Sequence, residues 1–215
     1  MHGVVSLLDH EHHQLVKDVW AELAKEFAVS KVYGAPEPHF SYQVARHYNV
    51  KSLELALRRF VASKRSFQVK TGCLGIFTRP RPVLYIPVVR SPELTQFHEA
   101  LWQEISCTGS GIEDYYHPSH WIPHITIGIG DVNKDNLPQI VRFLAERDLN
   151  WEITIDNIGL IYSSILFPFV GTRISIFSFY NSAKIDQHEM SPGLCWRPGD
   201  LEVDTRRSVE AFLPK

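Results

Sequence analysis

Two short segments limit how this chain can fold. "PEPHFSYQVA" (36–45) and "IPHITIGIG" (122–130) each alternate apolar with polar residues, place a proline directly before a histidine, and set a hydroxyl two residues after it. In a β-strand successive side chains point to opposite faces. His39, Ser41, Gln43 and Ala45 are therefore expected on one face, against Phe40, Tyr42 and Val44 on the other. Likewise His124, Thr126, Gly128 and Gly130 oppose Ile125, Ile127 and Ile129. The apolar face of each strand needs a cover of helices, which leaves imidazole and hydroxyl pointing together toward water. Their Cα atoms would lie about 6.5 to 7 Å apart, a span that one phosphate group can bridge.

The rest of the chain supplies the cover. "GVVSLL" (3–8) reads as a short buried strand. Asp9 is expected to cap a helix with Leu15, Val16, Val19, Trp20, Leu23, Ala24 and Phe27 on one stripe, and Ser52 a second helix with Leu53, Leu57, Phe60 and Val61. "GCLGIF" and "PVLYIPVV" read as strands around the turn "TRPRP", and Ser91-Pro92 starts a helix bearing Leu94, Phe97, Leu101 and Ile105. A Gly/Ser/Tyr/His-rich loop (108–123) leads into the second histidine segment. A short helix through Leu137, Ile140, Val141 and Leu144 follows, then strands in "WEITIDNIGLIYSS" and "TRISIFSFY". Helices interleaved with strand pairs predict an α+β fold with antiparallel sheets. Residues 1–181 are expected to form one domain, and the Pro-, Gly- and charge-rich 182–215 a partly ordered tail.

With 24 acidic and 22 basic residues the 215-residue chain is no polycation, but its charge is unevenly spread. Between Arg46 and Arg90 stand ten basic residues and one acid, Glu54. Such a sector suits either a phosphate-bearing ligand or a solvated helix face. Cys73, Cys107 and Cys195 form no CxxC pair, so neither a disulfide framework nor a zinc knuckle is expected, and Cys73 and Cys107 read as core fillers. No leader or membrane-length apolar run is evident, which points to the cytoplasm.

Chemistry enters through the histidines. An imidazole with an ordinary pKa near 6.5 can be neutral in one copy and charged in another near pH 7, so two of them can act as base and acid on one phosphodiester. Hydroxyls of Ser41 and Thr126 can hold the phosphoryl oxygens, where negative charge grows. A third match, His117-Pro118-Ser119, is set aside because proline fits poorly inside a strand. "DHEHHQ" (9–14) reads as the solvated first turn of a helix, and His117, His120 and His124 as no metal site, because the intervening "PSHWIP" is irregular and no Cys or carboxylate neighbours it. His120 and Trp121 are expected at the edge of the cleft. Tyr85 and Trp121 can stack on a nucleobase or pack in the core, and Arg79 and Arg81 can meet a ligand phosphate or line an exposed turn.

"PHFSYQ" and "PHITIG" resemble the paired His-x-Ser/Thr signatures of the two-histidine (2H) phosphoesterase superfamily, in its 2'-5' RNA ligase-like branch. "GIFTRPRPVLYIPV" and "DNIGLIYSS" extend the resemblance over residues 3 to about 180. It implies a bilobal domain in which two mainly antiparallel sheets face a central cleft, helices cover the outer faces, and each lobe supplies one motif. It also implies His39 and His124 as catalytic residues, Ser41 and Thr126 as phosphate ligands, and no metal or cofactor. The substrate would be an RNA end or nucleotide bearing a 2',3'-cyclic phosphate or 2'-5' linkage, handled by a monomer. The family more often has Thr where this chain has Ser41, a change that keeps the hydroxyl and loses a methyl. A nucleotide- or RNA-binding module with the same cleft and no turnover is the alternative.

Overall fold

Alternation and helical stripes become fourteen strands and helices in a computed structural model that describes residues 2–34, 37–166 and 169–179, with side chains at 34 and 163–173 set aside. In chain order these are β1 (His2–Leu7), α1 (His10–Phe27), β2 (His39–Tyr48), α2 (Val50–Val61), β3 (Phe67–Lys70), β4 (Gly75–Phe77) and β5 (Val83–Pro87). There follow α3 (Pro92–Ile105), β6 (Gly109–Ile112), β7 (His124–Gly128), α4 (Leu137–Leu144), β8 (Glu152–Ile155), β9 (Asn157–Leu166) and β10 (Phe169–Ser178). The expected tail from 182 lies outside the described residues.

Every strand pair is antiparallel. One sheet runs β10-β9-β1-β2-β6 and holds the first histidine strand, while β4-β5-β7 holds the second. The β3-β8 pair joins the latter through a bridge between Thr71 and Val88, extended by Val89 N–H donating to the Lys70 carbonyl and Thr71 N–H to that of Trp151. Helices α2 and α3 pack on the first sheet and meet through Phe60 and Phe97, their ring centroids 5.3 Å apart. Helix α1 lies against β7 and touches α4 through Phe27 and Phe143 at 5.4 Å. The α+β arrangement of two antiparallel sheets with helical cover is thus observed.

Local chemistry explains most boundaries. Asp9 caps α1, accepting from His12 N–H at 3.0 Å, and its second carboxylate oxygen accepts from Thr154 N–H at 2.9 Å, which ties the helix start to β8. Ser91 caps α3 with Pro92 behind it. Val16, Val19, Trp20 and Leu23 form the buried stripe of α1, each fully buried aliphatic chain being worth about 1.5 to 3 kcal/mol. Leu15, expected on that stripe, is 38% exposed.

Several expectations are corrected. Asn49, not Ser52, caps α2: its side chain accepts from Ser52 N–H at 3.1 Å, three residues on. Cys73 is exposed at a φ of +62°, where the β3-to-β4 segment kinks, and Cys107 is exposed too, so neither fills the core. The loop expected over 108–123 contains β6, which pairs with the far end of β2. "WEITIDNIGLIYSS" is two strands in different sheets. At their junction Asn157 takes a strand's place beside Leu7, accepting from its N–H at 3.0 Å and donating to its carbonyl at 3.1 Å. The first turn of α1 is not simply solvated, since His12 is buried, bonded to Asp9 at 2.6 Å and packed on Trp151.

Candidate active site

Strands β2 and β7 lie beside one another: β7 is the edge strand of its sheet, and β6 pairs with β2 only from Ala45 onward, which leaves the half of β2 holding His39 and Ser41 open on that side. His39 and His124 each use the same local device. The Nδ1 of His39 bonds the Glu37 carbonyl at 2.7 Å, and that of His124 bonds the Ile122 carbonyl at 2.7 Å. A carbonyl only accepts, so both Nδ1 atoms carry the proton and both Nε2 atoms are left as acceptors. The intervening Pro38 and Pro123 explain the pattern: proline fixes its own φ and pushes the residue before it into extended backbone, which presents that residue's carbonyl to the imidazole. Glu37 is itself anchored to α1, where its carboxylate meets His13 at 2.6 Å and Lys17 at 2.9 Å.

Both imidazoles have a pKa below the usual 6.5. For His39 the cause is loss of hydration, partly opposed by the bond to Glu37. For His124 it is again loss of hydration, opposed by the Ile122 bond and reinforced by the charge of His39. The two rings are therefore close enough for protonation of one to disfavour protonation of the other.

Beyond each hydroxyl the strand is bulged at the same place. Val5 opposes Ser41 but Val4 opposes Gln43, leaving Tyr42 extra; Tyr85 opposes Thr126 but Leu84 opposes Gly128, leaving Ile127 extra. A bulge sets two residues against one and breaks the alternation. This corrects the predicted faces. Gln43 turns to the helix side, where it donates to Ser106 Oγ at 3.0 Å, and Gly128 sits opposite buried Leu84. Only His39 with Ser41, and His124 with Thr126, remain as pairs.

Aromatic residues crowd the second pair. Tyr85, cross-strand from Thr126, lies 5.3 Å from the His124 ring and stacks on Phe77 at 4.0 Å, and Tyr115 lies 6.2 Å from His124. The Tyr85 ring covers Gly75, where an added Cβ would come within 2.3 Å of it, so a larger residue there would displace the ring. Burial raises the pKa of Tyr116, and the Glu113 carboxylate adds to the rise, against the opposing influence of the nearby Ser41 hydroxyl and Arg79 guanidinium. Arg79 also stands by Tyr115, whose pKa is raised to about 12, mainly by burial. Arg81 is exposed in the same turn, with no ion pair among the described residues.

Trp121 is corrected. It is 2% exposed, donates through Nε1 to the Ser41 carbonyl at 2.9 Å, and packs on His98 with centroids 3.8 Å apart, which leaves no face for a nucleobase. His120 stays at the rim, bonded to the Asp114 carbonyl at 2.7 Å. The basic sector is dispersed: Arg59 pairs with Glu104, Lys70 with Glu152, and Arg90 donates to the Trp121 and Pro118 carbonyls. Tyr116, Tyr115 and Phe77 were missed by sequence reasoning; the Tyr115-Tyr116 doublet in an otherwise polar loop was the available signal.

Buried His98 supports β2 from behind, its Nε2 donating to the Tyr42 carbonyl at 2.8 Å while Nδ1 has no partner among the described residues. Burial lowers its pKa to about 4, helped by the charges of Arg90 and His117. Between pH 6.5 and 4 the unfolded chain binds this proton and the folded one does not, so stability falls with pH by about 3 kcal/mol from this group. Urea unfolding at pH 7 and pH 4.5 should show a clearly smaller acid loss in His98→Gln than in wild type. Equal losses would show that His98 is not the source.

With this geometry in view, comparison with known proteins becomes informative. The model of the 2'-5' RNA ligase superfamily matches residues 10–164, nearly three quarters of the chain. The chain belongs to that superfamily. Proteins named as phosphoesterases in Bacillus cereus (strain B4264) and Bacillus anthracis (strain CDC 684) are 26% and 27% identical to it over 133 residues, covering 60% of this chain and 73% of theirs. Among solved structures, Thermus thermophilus TT0787 has a TM-score of 0.56 at 14% identity, with 83% of this chain and 97% of that one covered. Escherichia coli LigT, crystallised with 3'-AMP, has a TM-score of 0.52 at 18% identity, with 84% and 98% covered. At such identities these two likenesses show a shared fold. Among the described residues no helix is long and apolar enough to cross a membrane.

Proposed function

We propose that the protein is a metal-independent phosphodiesterase that opens 2',3'-cyclic phosphates, or cleaves and reforms 2'-5' linkages, at RNA ends or on nucleotides. The observation that carries this reading is the pair of like-oriented imidazoles, each with an Nε2 that no described residue engages and a hydroxyl two residues away. One Nε2 takes a proton from water as its oxygen attacks phosphorus. The other imidazole, protonated, gives a proton to the ribose oxygen as the P–O bond breaks, leaving a phosphomonoester and a free hydroxyl; in the 2'-5' reaction the adjacent 3'-hydroxyl replaces water as nucleophile, leaving a cyclic phosphate and a 5'-hydroxyl that can recombine. Ser41 and Thr126 donate to the phosphoryl oxygens, and Tyr85 with Phe77 forms an aromatic wall suited to a nucleoside. Membership of the superfamily supports an enzyme, and the 3'-AMP and ATP complexes of LigT support nucleotide-bearing substrates. We place it in the cytoplasm as a monomer, in keeping with the exposed thiols of Cys73 and Cys107.

The deciding experiment is incubation with nucleoside 2',3'-cyclic monophosphates and short RNAs ending in a cyclic phosphate, with and without EDTA. Phosphomonoester formed at equal rates in both supports the proposal. Binding without product favours the non-catalytic module, and loss of activity in EDTA overturns metal independence.

A further inference from the structure

The two bulges share a feature beyond their position. The carbonyl of Ser41 accepts from Trp121 Nε1 at 2.9 Å, and the carbonyl of Thr126 accepts from Trp20 Nε1 at 3.1 Å. Both indoles are buried, at 2% exposure each. In each case the acceptor belongs to the hydroxyl residue itself, directly before the bulge, where the regular ladder is interrupted. The arrangement is crossed. Trp121 stands three residues before His124, on the segment leading into β7, yet it tethers β2 of the other sheet. Trp20 stands on α1, between β1 and β2 in the chain, yet it tethers β7. Helix α1 also holds Glu37, whose carbonyl orients His39, through His13 and Lys17.

We propose that Trp20 and Trp121 are matched positioning residues, each fixing the hydroxyl strand of the opposite half-site so that the indoles set the spacing between Ser41 and Thr126. This rests on the reading of the cleft as a phosphate site. A bulged strand margin without a neighbouring strand is soft, and an N–H anchored in the core restores one fixed point per strand. Two donors that must grip one phosphate from opposite sides depend on that spacing, and small misplacements are costly.

Trp121→Phe and Trp20→Phe keep a ring and remove the N–H. Where a phenylalanine variant does not fold, benzothienylalanine, with sulfur in place of the indole N–H, keeps the ring volume. Each change should lower kcat by roughly 10- to 10²-fold, with KM less affected. In a Ser41→Ala background the Trp121 change should cost no more than about twofold, because the hydroxyl it positions is gone, and Trp20 should behave likewise with Thr126→Ala. Equal losses in both backgrounds would mean that the indoles act by bulk packing, and would overturn the proposal. Backbone amide spectra give a readout free of turnover: the Trp121 change should shift Ser41 and Tyr42 and spare Thr126 and Ile127, with the reverse for Trp20. Unmoved resonances overturn the tether. The predicted shifts in a wild-type protein that turns over no cyclic phosphate would sink the proposed function and leave the tether standing.

Discussion

Replacing either His39 or His124 with alanine should lower kcat/KM on a cyclic phosphate by about 10²- to 10⁴-fold, the usual contribution of a general acid or base. The double variant should be little worse than either single one, because groups that act together on one transition state do not contribute additively. The pH profile should show the same partnership. Turnover needs one imidazole neutral and one protonated, so kcat/KM should trace a bell whose limbs belong to the pair. Both pKa values are lowered from 6.5, and each histidine's loss of hydration contributes. The singly protonated pair is therefore most populated below that pH, and the maximum of kcat/KM should lie on the acid side of it. Full activity in one alanine variant, with a single-limbed profile, would reduce that histidine to a structural role.

Ser41→Ala and Thr126→Ala should each cost roughly 10²- to 10³-fold in kcat, as does removal of one donor to a developing oxyanion. The hydroxyls are not equivalent. Tyr116 lies near Ser41, where its phenol can donate to Oγ and leave the serine proton for the phosphate, whereas Tyr85 lies across the strand from Thr126. Tyr116→Phe should thus lower kcat less than Ser41→Ala does, and should add little once Ser41 is alanine. Ser41→Thr restores the commoner residue of the resembling family and should keep activity within about threefold, since the donor is retained and only a methyl is gained. Steady-state kinetics on one cyclic nucleotide across the four variants checks the order. A Ser41→Ala enzyme as fast as wild type would remove the hydroxyl from the phosphate site.

Legibility differed with the range of the interaction. The α+β class, three of the four helices' buried stripes and the two motif strands were readable because alternation and capping are local: Asp9 and Ser91 bond amides three residues away. What needed a distant partner was hidden. The transfer of the chain from β8 to β9 depends on Asn157 meeting Leu7, 150 residues away in sequence. The bulges after Ser41 and Thr126 exist only in register with β1 and β5, so unbroken alternation misled the reading of Gln43 and Gly128. Trp121 looked like a candidate for stacking because an indole beside a motif is ambiguous until its N–H finds an acceptor. Tyr116 was overlooked because its neighbour in space, Ser41, is 75 positions away (116 minus 41).

The bonds from Nδ1 to the Glu37 and Ile122 carbonyls carry a consequence for direction. Many catalytic histidines lean on a carboxylate, which stabilises the cationic ring. Here each ring leans on a neutral amide oxygen of the same kind, at the same distance and through the same proline-directed turn. Neither is wired as the permanent proton donor. In the proposed reaction the choice falls to the guest: whichever ribose oxygen departs recruits the imidazole on its side as acid, and the opposite one becomes the base. On that reading the site is ambidextrous: a cleavage and its reverse, or two regioisomers, would call on the same two imidazoles with their roles exchanged.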